Sequence, residues 1–289
     1  PPAELAAIGE RTLSYWRAQE VPAVVVCGSL HVILDRAVNA DIPGILRQNG
    51  VLAMPMDCYP VRSHIERLEQ VSWGDQIQAL RAALSTRERG DVYPLLITSF
   101  ACGPSSFVEH VFNAFMRGYP HTSLETDGHG GKAGYVTRIQ SFLHGVRRYH
   151  GGPAPVPKER LELVRSLDKA DPKSDKNHRL VIFPMGDRYG DFFAAAYRAM
   201  GFDAVCTGRQ SATTLARGRR DCSGKECLPY QLMWGAYREY LNQSSPKDRL
   251  SLITISGEGS CRSCVYQMKD RISLEHLGLS DRVSMQHFG

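Results

Sequence analysis

The sequence predicts an α/β chain built on two parallel sheets. Two observations lead there. Apolar runs of strand length alternate with longer helical stretches, and this alternation occurs twice along the 289 residues. Between the two series lie Gly151–Pro157, rich in Gly and Pro, and the highly charged stretch 158–178. Domains are therefore expected at 1–150 and 179–289, with a linker at 151–178. Strands that alternate with helices imply right-handed crossovers, and ligands of such sheets collect outside the carboxyl ends of the strands.

In the first series, Val21–Ser29 reads as an apolar strand, followed by an amphipathic helix through about Gln48 that Gly50 ends. Val51–Met56 is a second strand, and a long helix runs from about His64 to Arg89. Tyr93–Phe100 is a third strand with a helix after it from about Ser105 to Met116. Ser123–Thr126 is a shorter strand and Tyr135–Tyr149 a helix. The second series gives a strand at Leu180–Phe183, a helix at Asp191–Met200 and a strand at Ala204–Cys206. A loop rich in Arg and Gly then leads to a helix at Tyr230–Leu241. Leu250–Ile255 is a strand, Cys264–Leu277 a helix and Val283–Phe288 a final strand.

Hydrophobic residues make up 43% and charged residues 22%, the balance of a folded globular protein. The net charge of +5 comes from scattered basic residues without interleaved aromatics, which argues against a nucleic-acid partner. No apolar run approaches the ~20 residues that span a bilayer, so no membrane partner is expected. The first residue is Pro rather than Met, and the chain is expected to be a piece of a longer or trimmed polypeptide. A chain of this length with no signal segment, and with apolar residues enough for a core, reads as cytoplasmic.

In that compartment clustered thiols point to metal or redox chemistry rather than disulfides. There are eight cysteines: Cys27, Cys58, Cys102, Cys206, Cys222, Cys227, Cys261 and Cys264. Cys27 and Cys206 lie inside apolar strand sequence and read equally well as buried small residues. The others gather beside Gly or Pro at expected strand or helix ends. Three segments carry five of them: Phe100-Ala101-Cys102-Gly103-Pro104-Ser105-Ser106-Phe107, Cys222-Ser223-Gly224-Lys225-Glu226-Cys227-Leu228-Pro229 and Gly257-Glu258-Gly259-Ser260-Cys261-Arg262-Ser263-Cys264; Cys58 stands apart in Met56-Asp57-Cys58-Tyr59-Pro60. A helix N-terminus favours the thiolate, and glycines let backbone N–H groups approach cluster sulfurs. Spacing alone leaves three chemistries open: an iron–sulfur cluster, a four-cysteine zinc site or a thiol redox pair at Cys261 and Cys264. For a compact zinc ribbon, the 33 residues between Cys227 and Cys261 are a long separation.

The run Leu95–Phe107, with its F-x-C-G-P-x-S-F pattern after a strand, resembles a segment of the 2-hydroxyacyl-CoA dehydratase superfamily. Leu124–His129 followed by Ala133–Leu143, then Ser223–Pro229, then Cys261-Arg262 are similar to later motifs of its large activase-related members and double-cubane cluster proteins. The matching segments stand in family order from about residue 30 to the C-terminus. The resemblance implies two flavodoxin-like domains with an iron–sulfur cluster between them. It implies a [4Fe-4S] or a double-cubane [8Fe-9S] cluster, with Cys102, Cys227 and Cys261 as ligands. It implies an ATP-hydrolysing iron–sulfur activase, on a separate chain or missing domain, that supplies low-potential electrons. A CoA ester or another small molecule would be the substrate.

Cys222 and Cys264 are additions beside the matched motifs. A sulfide-bridged double cubane takes three thiolates per cubane. Cys102, Cys222, Cys227, Cys261 and Cys264, with Cys58 as the remaining member, would complete that set. So many thiolates leave little room for an open iron site, which favours a reductase or electron relay over a dehydratase component. Gly224-Lys225 is followed by Glu226, so this is not a phosphate loop of the Walker type. Glu125, Asp127 and His129 could hold a metal or move a proton, or Asp127 could cap the next helix. Gly128, Gly130 and Gly131, with Lys132 and Arg138, could receive a phosphate or simply form a turn and a charged surface.

Overall fold

The structure is a computed structural model that describes residues 2–19, 21–61, 71, 73–127, 131–158, 161, 177–184, 188–255 and 261–288. The chain divides into two compact units, Pro1–Glu162 and Leu163–Gly289. Each is α/β with a four-stranded, fully parallel sheet among the described residues.

The first unit runs α1 (Pro2–Arg17), β1 (Ala23–Cys27), α2 (Leu30–Ile33), α3 (Ile42–Gln48), β2 (Leu52–Pro55), α4 (Gly74–Arg89), β3 (Val92–Ser99), α5 (Gly103–Met116), β4 (Thr122–Thr126) and α6 (Lys132–Arg148). Its strands lie in the order β2-β1-β3-β4. β1 is buried along its whole length, as a central parallel strand covered on both faces must be. Val24, Val25, Leu95, Leu96, Ile97, Phe107, Phe112 and Leu124 are closed off from solvent around it. Arg87 is buried. It donates to the carbonyls of Phe115, Arg117 and Ala154, so a cation holds the negative end of α5.

The second unit runs β5 (Arg179–Ile182), α7 (Tyr189–Ala199), β6 (Ala204–Cys206), α8 (Ala212–Arg220), α9 (Leu228–Gln243), β7 (Leu250–Ile255), a 3-10 turn (Arg262–Val265), α10 (Tyr266–His276) and β8 (Val283–Phe288). Its order is β6-β5-β7-β8, the same 2-1-3-4 arrangement as the first sheet. That order is consistent with a flavodoxin-like topology. Leu180, Ile182, Ala194, Tyr197, Ala204 and Ile253 form a core cluster on which Phe202 and Cys206 also pack.

The expected long helix after β1 is instead two short ones. Asp35 accepts the backbone N–H groups of Ala37 and Val38, and Ala40 and Asp41 take left-handed φ values of 52° and 59°. These local side-chain bonds compete with the helix ladder, and Pro43 then starts α3. The helix expected from His64 begins at Gly74 among the described residues, and 62–70 lie outside them. Among the fully described elements, two helices were not expected. One is α1, and the other is α8 within the Arg- and Gly-rich stretch, where Ser211 and Thr214 form a capping box.

α8 and α9 meet backbone to backbone. A Cβ on Gly218 would lie 1.9 Å from the Gln231 carbonyl oxygen, and one on Gly235 would lie 2.0 Å from that of Thr214. No side chain fits there, so two glycines permit the approach. Gly218→Val is expected to destabilise the second unit by about 1–3 kcal/mol, read as a lower urea midpoint. Gly145→Ala, in open space on α6, is expected to be neutral or stabilising by under about 1 kcal/mol.

Candidate functional site

Three of the cysteines singled out by sequence occupy the same local setting. Cys102 is the N-cap of α5, Cys227 the N-cap of α9 and Cys261 the N-cap of the 3-10 turn that leads into α10. All three have extended backbone, and none makes a side-chain capping bond. Cys102-Gly103-Pro104 and Cys227-Leu228-Pro229 share a proline in the first helical turn, where its missing N–H costs no hydrogen bond. Ser, Thr, Asp and Asn are the usual residues at this position. A sulfur there faces the free N–H groups and positive dipole end of its helix.

The Cys102 loop is strained. Ala101 has φ of 60°, a left-handed conformation that costs a residue with a Cβ about 1–2 kcal/mol. Phe100 is turned out to solvent and Cys102 is half-buried beside it. Behind the loop, the buried Gln76 amide donates to the hydroxyls of Ser29 and Ser105. This joins the ends of β1 and β3, where the strand order of the first sheet reverses. Cys58 sits in the turn after β2, its N–H bonded to the Pro55 carbonyl. Burial, with Asp57 beside it, pushes its thiol up from the ordinary value.

In the second unit two cysteine loops are tied together. The Arg262 guanidinium donates to the Lys225 carbonyl at 2.8 Å, and the Cys227 N–H donates to the Tyr266 hydroxyl at 3.2 Å. Cys261 is exposed, and its thiol is pulled down by hydrogen bonds from Ser263 and by the nearby Arg262 charge. Cys222 is half-buried, and burial pushes its thiol up to about 12 against the pull of Lys269, with Glu226, Asp221 and Asp270 adding to the rise. Cys264 lies in the 3-10 turn, but its side chain is outside the described residues.

Beneath these loops lies a buried polar network that the sequence did not signal. The Lys269 ammonium is 3.4 Å from the Glu226 carboxylate and donates to the Tyr230 hydroxyl at 3.2 Å. Tyr230 in turn donates to Asp270 at 2.7 Å. The ammonium also lies 4.8 Å from the Tyr230 ring centre and 5.8 Å from that of Trp234. Glu226 meanwhile accepts the N–H and hydroxyl of Ser223, which closes the turn between Cys222 and Cys227. Its role is thus to shape the loop. Asp221, in the turn after α8, binds the Trp234 indole and the Arg238 guanidinium and fixes the other end.

The remaining candidates separate. Cys27 is sealed in β1 with its thiol pushed up by burial, and the Cys206 thiol is pushed up to about 11 by burial with help from Asp191. Asp127 is not a helix cap, because Gly131 holds that position for α6. Gly128, His129 and Gly130 lie outside the described residues, as do Gly257–Ser260. The Glu125 carbonyl accepts from Tyr135, and Lys132 begins α6, which also carries Arg138. Among the described residues, no three His, Cys, Asp or Glu side chains converge as a group that could hold a metal ion. No described helix is long and apolar enough to cross a membrane.

The donor chemistry of the three capping cysteines suits an iron–sulfur cluster, since each places a thiol at the N-terminus of a helical turn. Cys222 suits it less well, because its proton is held tightly.

Asp270 provides a pH test. It is fully buried, and burial raises its carboxyl from 3.8 to about 7 against the opposing pull of Tyr230 and Lys269. The folded state then keeps a proton that the unfolded chain releases. Stability should fall as pH rises from about 4 to about 7 and level off above that. Asp270→Asn should flatten this slope in chemical unfolding measured across that range. Comparison of the chain with family models, with curated proteins and with solved structures finds no match.

Proposed function

We propose that this chain is an iron–sulfur protein that takes low-potential electrons from an ATP-hydrolysing activase and reduces a small substrate or relays the electron. The observation that carries this reading is the recurrence of a cysteine N-cap with extended backbone at α5, at α9 and before α10. Cys102, Cys227 and Cys261 would be the principal ligands, with Cys222, Cys264 and Cys58 as the additional thiols of a double cubane. The motif resemblance supports the same assignment and supplies the activase. A bound cluster would store one electron at low potential.

The chain's own residues would then do three things. Helix N–H groups at Gly103 and Leu228 would donate toward cluster sulfur and raise its potential. Arg262, held on the Lys225 carbonyl, would place a positive charge beside the cluster ligand Cys261. The Glu226–Lys269 pair would keep the Cys222–Cys227 turn in one conformation. A dehydratase component would need an open iron position as well, which this number of thiols disfavours.

One observation favours a second reading. The Cys222–Cys227 and Cys261–Cys264 segments belong to one unit and are clasped by the Arg262 and Tyr266 bonds, an arrangement that also suits a structural four-cysteine zinc site.

Iron, acid-labile sulfide and zinc per chain, measured on anaerobically prepared protein with a visible spectrum, separate the two. Iron with sulfide in the proportion of a [4Fe-4S] or an [8Fe-9S] cluster is the expected result. Zinc without sulfide would sink the electron-transfer reading. Cys102→Ser, Cys227→Ser and Cys261→Ser should each lower retained iron at least about tenfold, and Cys206→Ser should not.

A further inference from the structure

The second unit has a cleft of about 550 Å³ that none of the candidate ligand cysteines lines. Pro184, Arg188 and Gly190 line it from the end of β5 and the start of α7, and Cys206, Thr207 and Arg209 from the end of β6. It therefore lies at the carboxyl ends of two neighbouring parallel strands, on the end of the sheet where α/β folds bind ligands but beside, not at, the β5–β7 pair where the order reverses. Its size is that of a small-molecule pocket.

We propose that this cleft binds a phosphate group, as inorganic phosphate or as the phosphate of a small monoester. Four features converge on an oxyanion. Arg188 and Arg209 line the cleft, and among the described residues neither makes an ion pair or a side-chain hydrogen bond. α7, of 11 residues, opens there with Arg188 as N-cap and no side-chain cap, so its first-turn N–H groups lack the usual partner. Thr207 is only 6% exposed, lines the cleft, and its hydroxyl has no hydrogen-bond partner among the described residues. A buried hydroxyl left unpaired costs about 1–3 kcal/mol, which a ligand oxygen would recover. Its backbone is fixed, since the Thr207 N–H donates to the Ile182 carbonyl at the end of β5.

Asp191 is the one carboxylate lining the cleft among the described residues, and the Cys206 thiol that also lines it donates to the Thr207 carbonyl at 3.3 Å. Two guanidinium groups and a helix N-terminus therefore face a single acid. The balance favours a doubly charged phosphate, which two arginine forks can grip through separate oxygens.

The test is a calorimetric titration of the full chain with sodium phosphate at constant ionic strength, repeated with glycerol phosphate. One saturable site is expected. Arg188→Ala and Arg209→Ala, both at exposed positions, should each weaken it at least about tenfold. Thr207→Val, which keeps shape and removes the hydroxyl, should weaken it as well. Tighter binding of the ester assigns the site to a phosphomonoester, and binding of phosphate alone assigns it to the free anion. No saturable binding of either probe overturns the proposal, as does unchanged affinity in all three variants with an unaltered circular dichroism spectrum. Metal content should be the same in these variants and the parent chain, so the outcome is independent of the cluster assignment.

Discussion

A parallel sheet puts the carboxyl ends of all its strands on one edge, and this constraint organises both units. Each sheet here is parallel throughout and has the order 2-1-3-4. Every crossover leaves from that end and returns at the other, so the strand-to-helix loops gather together and can carry chemistry. The cysteine loops use that position. Cys58 follows β2 and Cys102 follows β3 in the first unit, and Cys261 follows β7 in the second. β3 and β7 hold the same place in their sheets, each beside the central strand where the order reverses. Cys102 and Cys261 are thus topological equivalents, and both cap the helical turn that follows.

The Cys222–Cys227 loop arises differently, from a helical hairpin rather than a strand end. Its geometry depends on how closely α8 and α9 pack. Gly218 and Gly235 let the helix backbones touch, and Gln231 then reaches back with its amide to the Glu226 carbonyl. The carboxylate of Glu226 is drawn inward to Lys269, which burial would otherwise make costly. The lysine is satisfied by a carboxylate, a phenol and two aromatic faces, so a charge can remain inside. The second acid, Asp270, lies too deep for the same lysine to hold both carboxylates fully ionised, and its carboxyl rises accordingly.

Much of this was legible in the sequence. Strands were plain because parallel strands covered on both faces are continuous apolar runs, as Ala23–Cys27 is. The capping cysteines were marked by Gly and Pro beside them, signals that are local and strong. Helix boundaries failed where polar side chains override periodicity. Asp35 and Pro43 cut one expected helix in two, and α8 was hidden because its capping box uses Thr214 rather than an acid or amide. The Lys269–Tyr230–Asp270 network was invisible for a more basic reason. Its members come from α9 and α10, and only the folded packing of those helices brings them together. The Arg188–Thr207–Arg209 cleft has the same character, since no spacing along the chain relates the end of β5 to that of β6.

The thiols differ in how readily each can become a ligand, and the differences follow their surroundings. A metal binds thiolate, so every bound cysteine must first give up its proton. Cys261 is prepared for this by Ser263 and Arg262, which favour its anion before any metal arrives. Cys222 is held in the opposite state by burial and three carboxyl neighbours. Were Cys222 a ligand as proposed, the metal's own charge would have to outweigh that environment. Lys269 alone pulls the other way and does not win. The Glu226 clamp on Ser223 meanwhile holds the backbone of that loop in one conformation.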